Sequence, residues 1–536
     1  MWRKLAVLAG LAVATAIPPA APAAQSGAPV SLVVIVVVDQ MRADYLTTFA
    51  SRWRNGFRTL LDHGAQFTNA EYPYWSTVTC AGHSSIGTGA LPRTHGMVLN
   101  RWWDRAERRV VTCNDDANSP AVSYQRTASS NASARRMLVT TLADELRAQR
   151  PGGRVVSISL KPRSAIGMVG HGGDAVVWFD DRSRSFVTSA AFASAPVPEV
   201  ARFMADDRFE SQQGQVWALA APAATYRYGD VMPGERPNGD RTAAFPHAMA
   251  GRAPADATFA DDWQKSPYSD GYLGRLASWL VDRWRLGQRD ATDFLGVSFS
   301  GLDMVGHDFG PHSREVEDML IGLDATIGAL IAHLDRAVGR SRYVLALSAD
   351  HGVATIPEQD GAGRVANEDL GAVVEQALVK QWGPTSDGRY VAAALGGQIY
   401  FADGVLARVQ SSRAAMEAIE QALLAVRGVA RVVGADHLDG SDAVTQAIAR
   451  GYRAERSGDL FVVPQRNWIV ETRADGDATT HGTMYEYDRR VPLFFLGAGV
   501  APRRDAGAAS PLDIAPTLAR AAGVTLSGRD GRSLLP

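Results

Sequence analysis

Residues 31–39 read SLVVIVVVD, and the fold turns on how that run is interpreted. From Leu32 to Val38 every side chain is apolar and nearly all are β-branched, so the segment has no polar face. A strand with one wet face would alternate, and an amphipathic helix would repeat every three or four residues. An unbroken run suits a strand buried on both faces of a parallel sheet. It stops at Asp39, a carboxylate placed where the chain leaves the core. Three later runs repeat the design: RVVSISLK ends at Lys161, FLGVSFSGLD at Asp303, and RYVLALSADH at Asp350 and His351. Between them, residues 133–149 and 315–338 carry apolar residues at helical spacing. The alternation predicts an α/β fold, a doubly wound, mostly parallel sheet flanked by helices. Ligands of such sheets bind beyond the carboxyl ends of the strands, where these polar residues would collect.

The chain has 536 residues, 46% hydrophobic and 21% charged, with a formal charge of −2. That balance describes a globular protein with no basic field for nucleic acid. Lysine occurs only at Lys4, Lys161, Lys265 and Lys380, so arginine supplies nearly all the cations. The first residues, MWRKLAVLAGLAVATAIPPAAPA, combine a basic start, a short apolar run and a small-residue stop at Ala21-Pro22-Ala23. This pattern predicts a signal peptide over 1–23, removed from a catalytic domain spanning 30–536. No later segment is apolar enough to span a bilayer, so a periplasmic or secreted protein is expected. Cys80 and Cys113 permit one bridge, which would close a loop containing Asn100. Residues 190–285 and 360–470 interrupt the alternation and are read as inserted caps. The chain then returns to the core with VPLFFLGAGV as a strand and SPLDIAPTLARAAGV as a helix. Ser510 would cap that helix, with Pro511 first and Asp513 in the acidic third position.

Several polar residues fall into a set. Asp303 and His307 are four apart after a strand, and a helical turn or a tight loop could aim both at one ion. Asp350 and His351 end a buried run where an unpaired carboxylate is costly, and Asp39 repeats that situation. His481, in DATTHGTMYEYD, would read as a solvated loop histidine if it stood alone. Three aspartates with three histidines and no thiolate favour zinc over calcium or magnesium. Their number suits two ions with open positions, the usual arrangement for in-line displacement at phosphorus.

The stretches VVDQMRADYL, TVTCAGHSSIGTGALPRTHGMVLNRWWD, SLKPRSAI, GLDMVGHDFGP, SADHG, THGT and DIAPTLA, in that order, resemble the alkaline phosphatase superfamily. Its branch of nucleotide pyrophosphatase/phosphodiesterases and threonine-nucleophile alkaline phosphatases fits best. The resemblance covers almost the whole chain after the leader. It implies that Thr79, four residues before His83, is the nucleophile, and that Asn100, five after His95, contacts phosphate. It assigns one zinc to Asp39, Thr79, Asp350 and His351, and the other to Asp303, His307 and His481. Lys161 and Arg163 match a Lys-x-Arg pair that grips the outer oxygens of a monoester, with Pro162 between them as a departure. Small residues after Thr79 allow a helix to begin there, its amides facing an anion.

Thr77 is the competing nucleophile. His83 and His95 are expected in structural hydrogen bonds, and His312 at the surface or supporting the site. The implied activity is a zinc-dependent alkaline phosphatase that hydrolyses small phosphate monoesters through phosphothreonine and releases inorganic phosphate. The alternative within the superfamily is a phosphodiesterase. An exported phosphate-binding protein without activity would have lost ligands, and none is missing. A sulfatase would need Cys/Ser-x-Pro-x-Arg, whereas Cys80 is followed by AGHS. The superfamily's mutases are cytosolic, which the leader disfavours.

Overall fold

The computed structural model describes residues 30–237, 241–249, 257–385, 388–473 and 476–535. The expected leader at 1–23 lies outside the described residues. Ten strands form the central sheet, in the order Arg503–Ala509, Ala65–Ala70, Leu493–Gly497, Tyr343–Ser348, Leu32–Val38, Asp293–Phe299, Val155–Ser159, Ala175–Asp180, Ser185–Ser189 and Ala121–Ser123. Leu32–Val38 lies in the middle, parallel to Asp293–Phe299 on one side and Tyr343–Ser348 on the other. Val155–Ser159 and Ala175–Asp180 extend the parallel block. Leu493–Gly497 runs antiparallel to both its neighbours, and Ser185–Ser189 does likewise at the far side.

The central strand explains its composition. Leu32, Val34, Val36 and Val38 enter one apolar cluster, while Val33, Ile35 and Val37 enter the cluster on the opposite face. Every one of them is fully buried. Burying such a side chain is worth roughly 1.5–3 kcal/mol, so a polar residue anywhere in the run would be costly. The parallel strands all end at the same edge, and there the chain turns into Asp39, Lys161, the Gly301–Phe309 helix and Asp350-His351.

Helices depart from the sequence expectation in two places. Of residues 133–149 only Leu142–Gln149 is helical. Thr141 caps it by accepting from the Asp144 amide, and Asp144 accepts from the Thr141 amide in return. That capping box starts the helix late and leaves 133–140 outside it. Conversely, the irregular-looking 190–285 segment contains an 18-residue helix, Pro267–Trp284. Gly271 and Gly274 dilute its periodicity, and Gly274 is small for a packing reason. A Cβ there would sit 2.7 Å from Thr326 Cγ2, on the 24-residue helix Arg314–Ala337.

Phe203, Phe209, Trp263 and Tyr272 of that segment join the same apolar cluster as Val34 and Val36. The 360–470 segment builds a four-stranded antiparallel sheet of Val391–Leu395, Gln398–Phe401, Leu460–Pro464 and Val429–Gly434. Helices Asn367–Trp382 and Arg413–Leu424 pack there, with a core of its own around Leu370, Ile399, Ile419 and Val462. At the C-terminal end Ser510 caps the turn Pro511–Asp513, with Asp513 closing the capping box. That first turn is 3₁₀, and the α-helix proper is Ile514–Ala522.

Candidate metal centre and catalytic cleft

Thr79 is the first residue of the helix Thr79–Thr88, which is buried throughout its length. A helix that deep must press directly on its neighbours. A Cβ on Gly82 would meet the Asp350 backbone oxygen at 2.3 Å, so the small residues of TCAGHSS bring Thr79 against the Asp350-His351 turn. Thr79 Oγ1 lies 3.5 Å from His351 Nε2. Thr77 is directed elsewhere, its hydroxyl donating to the Thr483 carbonyl at 2.8 Å.

Two clusters of ligating atoms meet beside Thr79. Asp39, Asp350 and His351 form one, and Asp303, His351 and His481 the other, each with its donor atoms within 4.8 Å of one another. The sequence reading assigns His351 to a single ion, whereas here it borders both clusters. His307 adjoins the second through Asp303, with Nε2 3.4 Å from Oδ1 one helical turn away. The His351 and His481 rings stack with centroids 3.5 Å apart.

The donor set fits metal ions on two counts. Asp39 Oδ1 is fully buried and receives no hydrogen bond among the described residues, a costly state for a carboxylate oxygen without a cation. Each of the three histidines also has Nδ1 on a main-chain carbonyl: His307 on Thr479 at 2.9 Å, His351 on Gly352 at 2.9 Å and His481 on Thr77 at 2.8 Å. A carbonyl only accepts, so Nδ1 carries a proton in each, and Nε2 is the nitrogen left to a metal. Burial lowers His307, but Asp303 and then Asp477 outweigh it and hold the group well above the usual histidine value, so a metal there displaces a proton.

Electrostatics follow the crowding of charge. Burial first, then the charges of Asp303 and Asp350, push the Asp39 carboxyl well above its ordinary range. For Asp303 burial acts in the same direction, but Lys161 and His307 outweigh it and hold the group well below. Burial drives His481 well below the usual histidine value, with His351 and His307 adding to the effect. Lys161 Nζ donates to Asp39 Oδ2 at 2.7 Å and also to Asp303 Oδ2. It is therefore buried between two carboxylates, not extended into the cleft as the sequence suggests, because it is the cation that reaches both.

Arg163 does line the cleft, a cavity of about 730 Å³ whose walls also include Thr79, Asn100, Asp303, His307 and His481. Its Nε is buried without a hydrogen-bond partner among the described residues. Pro162 fits because it is the first residue of the helix Pro162–Val169, after Lys161 as N-cap. Proline suits that position, having no amide to leave unpaired. Asn100 Oδ1 accepts from the Cys80 amide at 2.9 Å, and Cys80 is bridged to Cys113. His83 Nδ1 stands 3.1 Å from Asp350 Oδ2, while its Nε2 is 2.8 Å from Ser298 Oγ. His95 is buried with Nε2 3.1 Å from Ser85 Oγ. His312 lies against the Tyr228 ring.

Two supporting residues escaped the sequence reading. Gln40 is buried and donates through Nε2 to Asp303 Oδ1 at 2.9 Å and through its amide to Asp350 Oδ1 at 3.2 Å. It thereby touches a carboxylate of each cluster, at a φ of 68° that is unusual outside glycine. Adjacency to Asp39 was its only sequence signal. Asp270, from the 190–285 segment, accepts from the Gly301 amide at 3.2 Å, at the start of the helix carrying Asp303 and His307. Nothing in its sequence neighbourhood marks that role.

Known proteins give the constellation a family. Residues 33–484 match the family described as type I phosphodiesterase / nucleotide pyrophosphatase. Alkaline phosphatase PhoV of Synechococcus elongatus is 32% identical over 506 residues, covering 91% of this chain and 89% of its own. Alkaline phosphatase PafA of Elizabethkingia meningoseptica is 30% identical over 514 residues, covering 91% and 90%. The crystal structure of PafA superposes with a TM-score of 0.86 at 28% identity, over 95% of this chain and 99% of that one. A PafA variant with one threonine, one asparagine, one lysine and one arginine replaced superposes equally well. The chain belongs to the type I phosphodiesterase / nucleotide pyrophosphatase family, on the alkaline phosphatase fold.

Proposed function

We propose that this protein is an exported, zinc-dependent alkaline phosphatase that hydrolyses small phosphate monoesters, with Thr79 as nucleophile. The observation that carries the reading is Thr79 Oγ1 beside His351 Nε2, at a helix N-terminus that opens into the Arg163-lined cleft. Asp39, Asp350 and His351 would hold one zinc with Thr79, and Asp303, His307 and His481 the other. Zinc bound there supplies Lewis acidity, making a hydroxyl or water ionisable near neutral pH. Thr79 attacks phosphorus in line and the ester oxygen leaves, giving a phosphothreonine that water then cleaves to inorganic phosphate. Asn100 Nδ2 and Arg163 donate to the non-bridging oxygens, and Lys161 keeps positive charge beneath them. The PafA variant's replaced residues are of the same four types as Thr79, Asn100, Lys161 and Arg163. The cleft supports small substrates without a nucleic-acid scaffold, and no described helix is long and apolar enough to cross a membrane. The 360–470 segment serves as a cap: its Gly396, Gly397, Val462 and Pro464 line a narrow apolar slot with His481.

Acid quenching during turnover of a ³²P-labelled aryl phosphate, followed by peptide mapping, should place label on Thr79. Thr79→Ala should abolish labelling and turnover while the fold is kept, and Thr79→Ser should retain part of both. Label on another residue would refute the assignment.

A further inference from the structure

Asn100 is attached to both halves of the single disulfide. Its Oδ1 accepts from the amide of Cys80, at 2.9 Å, and its main-chain carbonyl accepts from the amide of Cys113, at 3.0 Å. The bridge between Cys80 and Cys113 covalently joins those two donors. Cys80 directly follows Thr79 in the nucleophile helix. Cys113 directly follows the hairpin of Arg101–Asp104 and Arg109–Thr112, which begins next to Asn100. The closed loop therefore starts beside the nucleophile, passes through Asn100 and the hairpin, and returns to the nucleophile helix.

The chemistry of the side-chain amide gives this arrangement a direction. A backbone N–H can only donate, so the atom facing Cys80 must be the oxygen of Asn100. Nδ2 is then turned to the other side, with two donors and no partner among the described residues. Asn100 lines the same cleft as Thr79 and Arg163, so those donors are free for a ligand bound in it. Arg101, Thr112, Asn114 and Asp115 extend the cleft wall from the same hairpin.

We propose that the Cys80–Cys113 disulfide is a positioning device for Asn100, clamping the hairpin base to the nucleophile helix so that Nδ2 faces the phosphoryl group. This deepens the phosphatase reading and rests on it. The bridge is not the hairpin's sole anchor, because Trp102 and Val111 are buried in the apolar cluster with Cys80 and Cys113. Opening it should release the aim of Asn100 before it releases the fold.

The test is a double-mutant cycle on the zinc-loaded full chain. Cys113→Ala and Cys80→Ala/Cys113→Ala are each made alone and with Asn100→Ala. All are assayed well below their melting temperatures with an aryl phosphate, and with inorganic phosphate as inhibitor. Opening the bridge should lower kcat/KM and weaken phosphate inhibition about tenfold, as expected for a weakened hydrogen bond to a charged group. The same change should do nothing further once Asn100 is alanine. A loss of under about twofold in the intact background, or an equal loss with and without Asn100, overturns the proposal, since independent sites add. Should the variants fold poorly, reduction of the wild-type protein, followed by thiol counting, opens the same bridge and must give the same losses. If Asn100→Ala itself changes neither kcat/KM nor phosphate inhibition, the proposal falls because Asn100 does not contact phosphate. A null effect of the bridge alone would leave that contact standing.

Discussion

Lys161 and Arg163 are two residues apart, yet the structure assigns them different costs. Lys161 is buried against Asp39 and Asp303, whereas Arg163 faces the cleft with its Nε unpartnered. Lys161→Met keeps the aliphatic stem and removes the charge, leaving two buried carboxylates without their cation. Breaking a buried ion pair from one side costs about 3–5 kcal/mol. With an unfolding entropy of about 2.1 cal/mol/K per residue, a chain of 536 residues loses about 1 °C per kcal/mol. The metal-stripped Lys161→Met protein should therefore melt about 3–5 °C below wild type. Arg163→Met should shift melting by under about 1 °C, because its side chain makes no hydrogen bond among the described residues. In the zinc-loaded enzyme Arg163→Met should instead lower monoester kcat/KM by about 10–100-fold, with a smaller loss on a diester. Scanning calorimetry after chelation, paired with aryl monoester and diester kinetics, reads both effects. Equal melting shifts for the two variants would refute the separation of roles. So would an Arg163 variant that loses both activities by the same factor.

Gln40→Leu removes the donor to Asp303 while leaving the main-chain bond to Asp350, and should weaken metal retention about 10–100-fold in a chelator competition; unchanged retention would make Gln40 a packing residue only. His95 supplies a pH-dependent term in stability. Burial, with Arg456 adding, pushes its value down from 6.5 to about 3, so the unfolded chain binds a proton that the folded chain refuses. The resulting stability is fully present above pH 6.5 and is lost as pH falls towards 3, by roughly 3 kcal/mol at pH 4.5. In metal-stripped protein His95→Gln should flatten the decline between pH 6.5 and 4.5 by that amount, measured by urea unfolding. An unchanged slope would show that His95 is protonated in the fold.

Much of this was legible in the sequence because the strongest constraints are local. A strand buried on both faces must be apolar throughout, so Leu32–Val38 declared its position, and the polar residue ending each run declared the functional edge. The Ser510 capping box was legible for the same reason, since its partners are three residues apart. What remained hidden depends on distant neighbours. The Pro267–Trp284 helix carries glycines whose purpose is contact with a helix some fifty residues later, as Gly274 against Thr326 shows. The place of Lys161 depends on two carboxylates more than a hundred residues away in the chain, Asp39 just past the central strand and Asp303 on the Gly301–Phe309 helix. Gln40 offers a neutral amide whose importance lies in its burial and left-handed backbone, neither of which composition records. The sharing of His351 between two clusters is likewise a matter of spacing in the folded chain.

The central claim is that the Thr79 cleft is built for a terminal phosphoryl group. The most direct measurement is kcat/KM of the purified, zinc-loaded protein for an aryl phosphate monoester and for the methyl diester of the same phenol. The two substrates share a leaving group and differ in one oxygen, which is charged in the monoester and capped in the diester. Charged hydrogen bonds are worth about 1.5–3 kcal/mol each, so the monoester should be preferred by at least about a hundredfold. A ratio near unity, or a preference for the diester, would contradict the account and make the protein a phosphodiesterase of the same family.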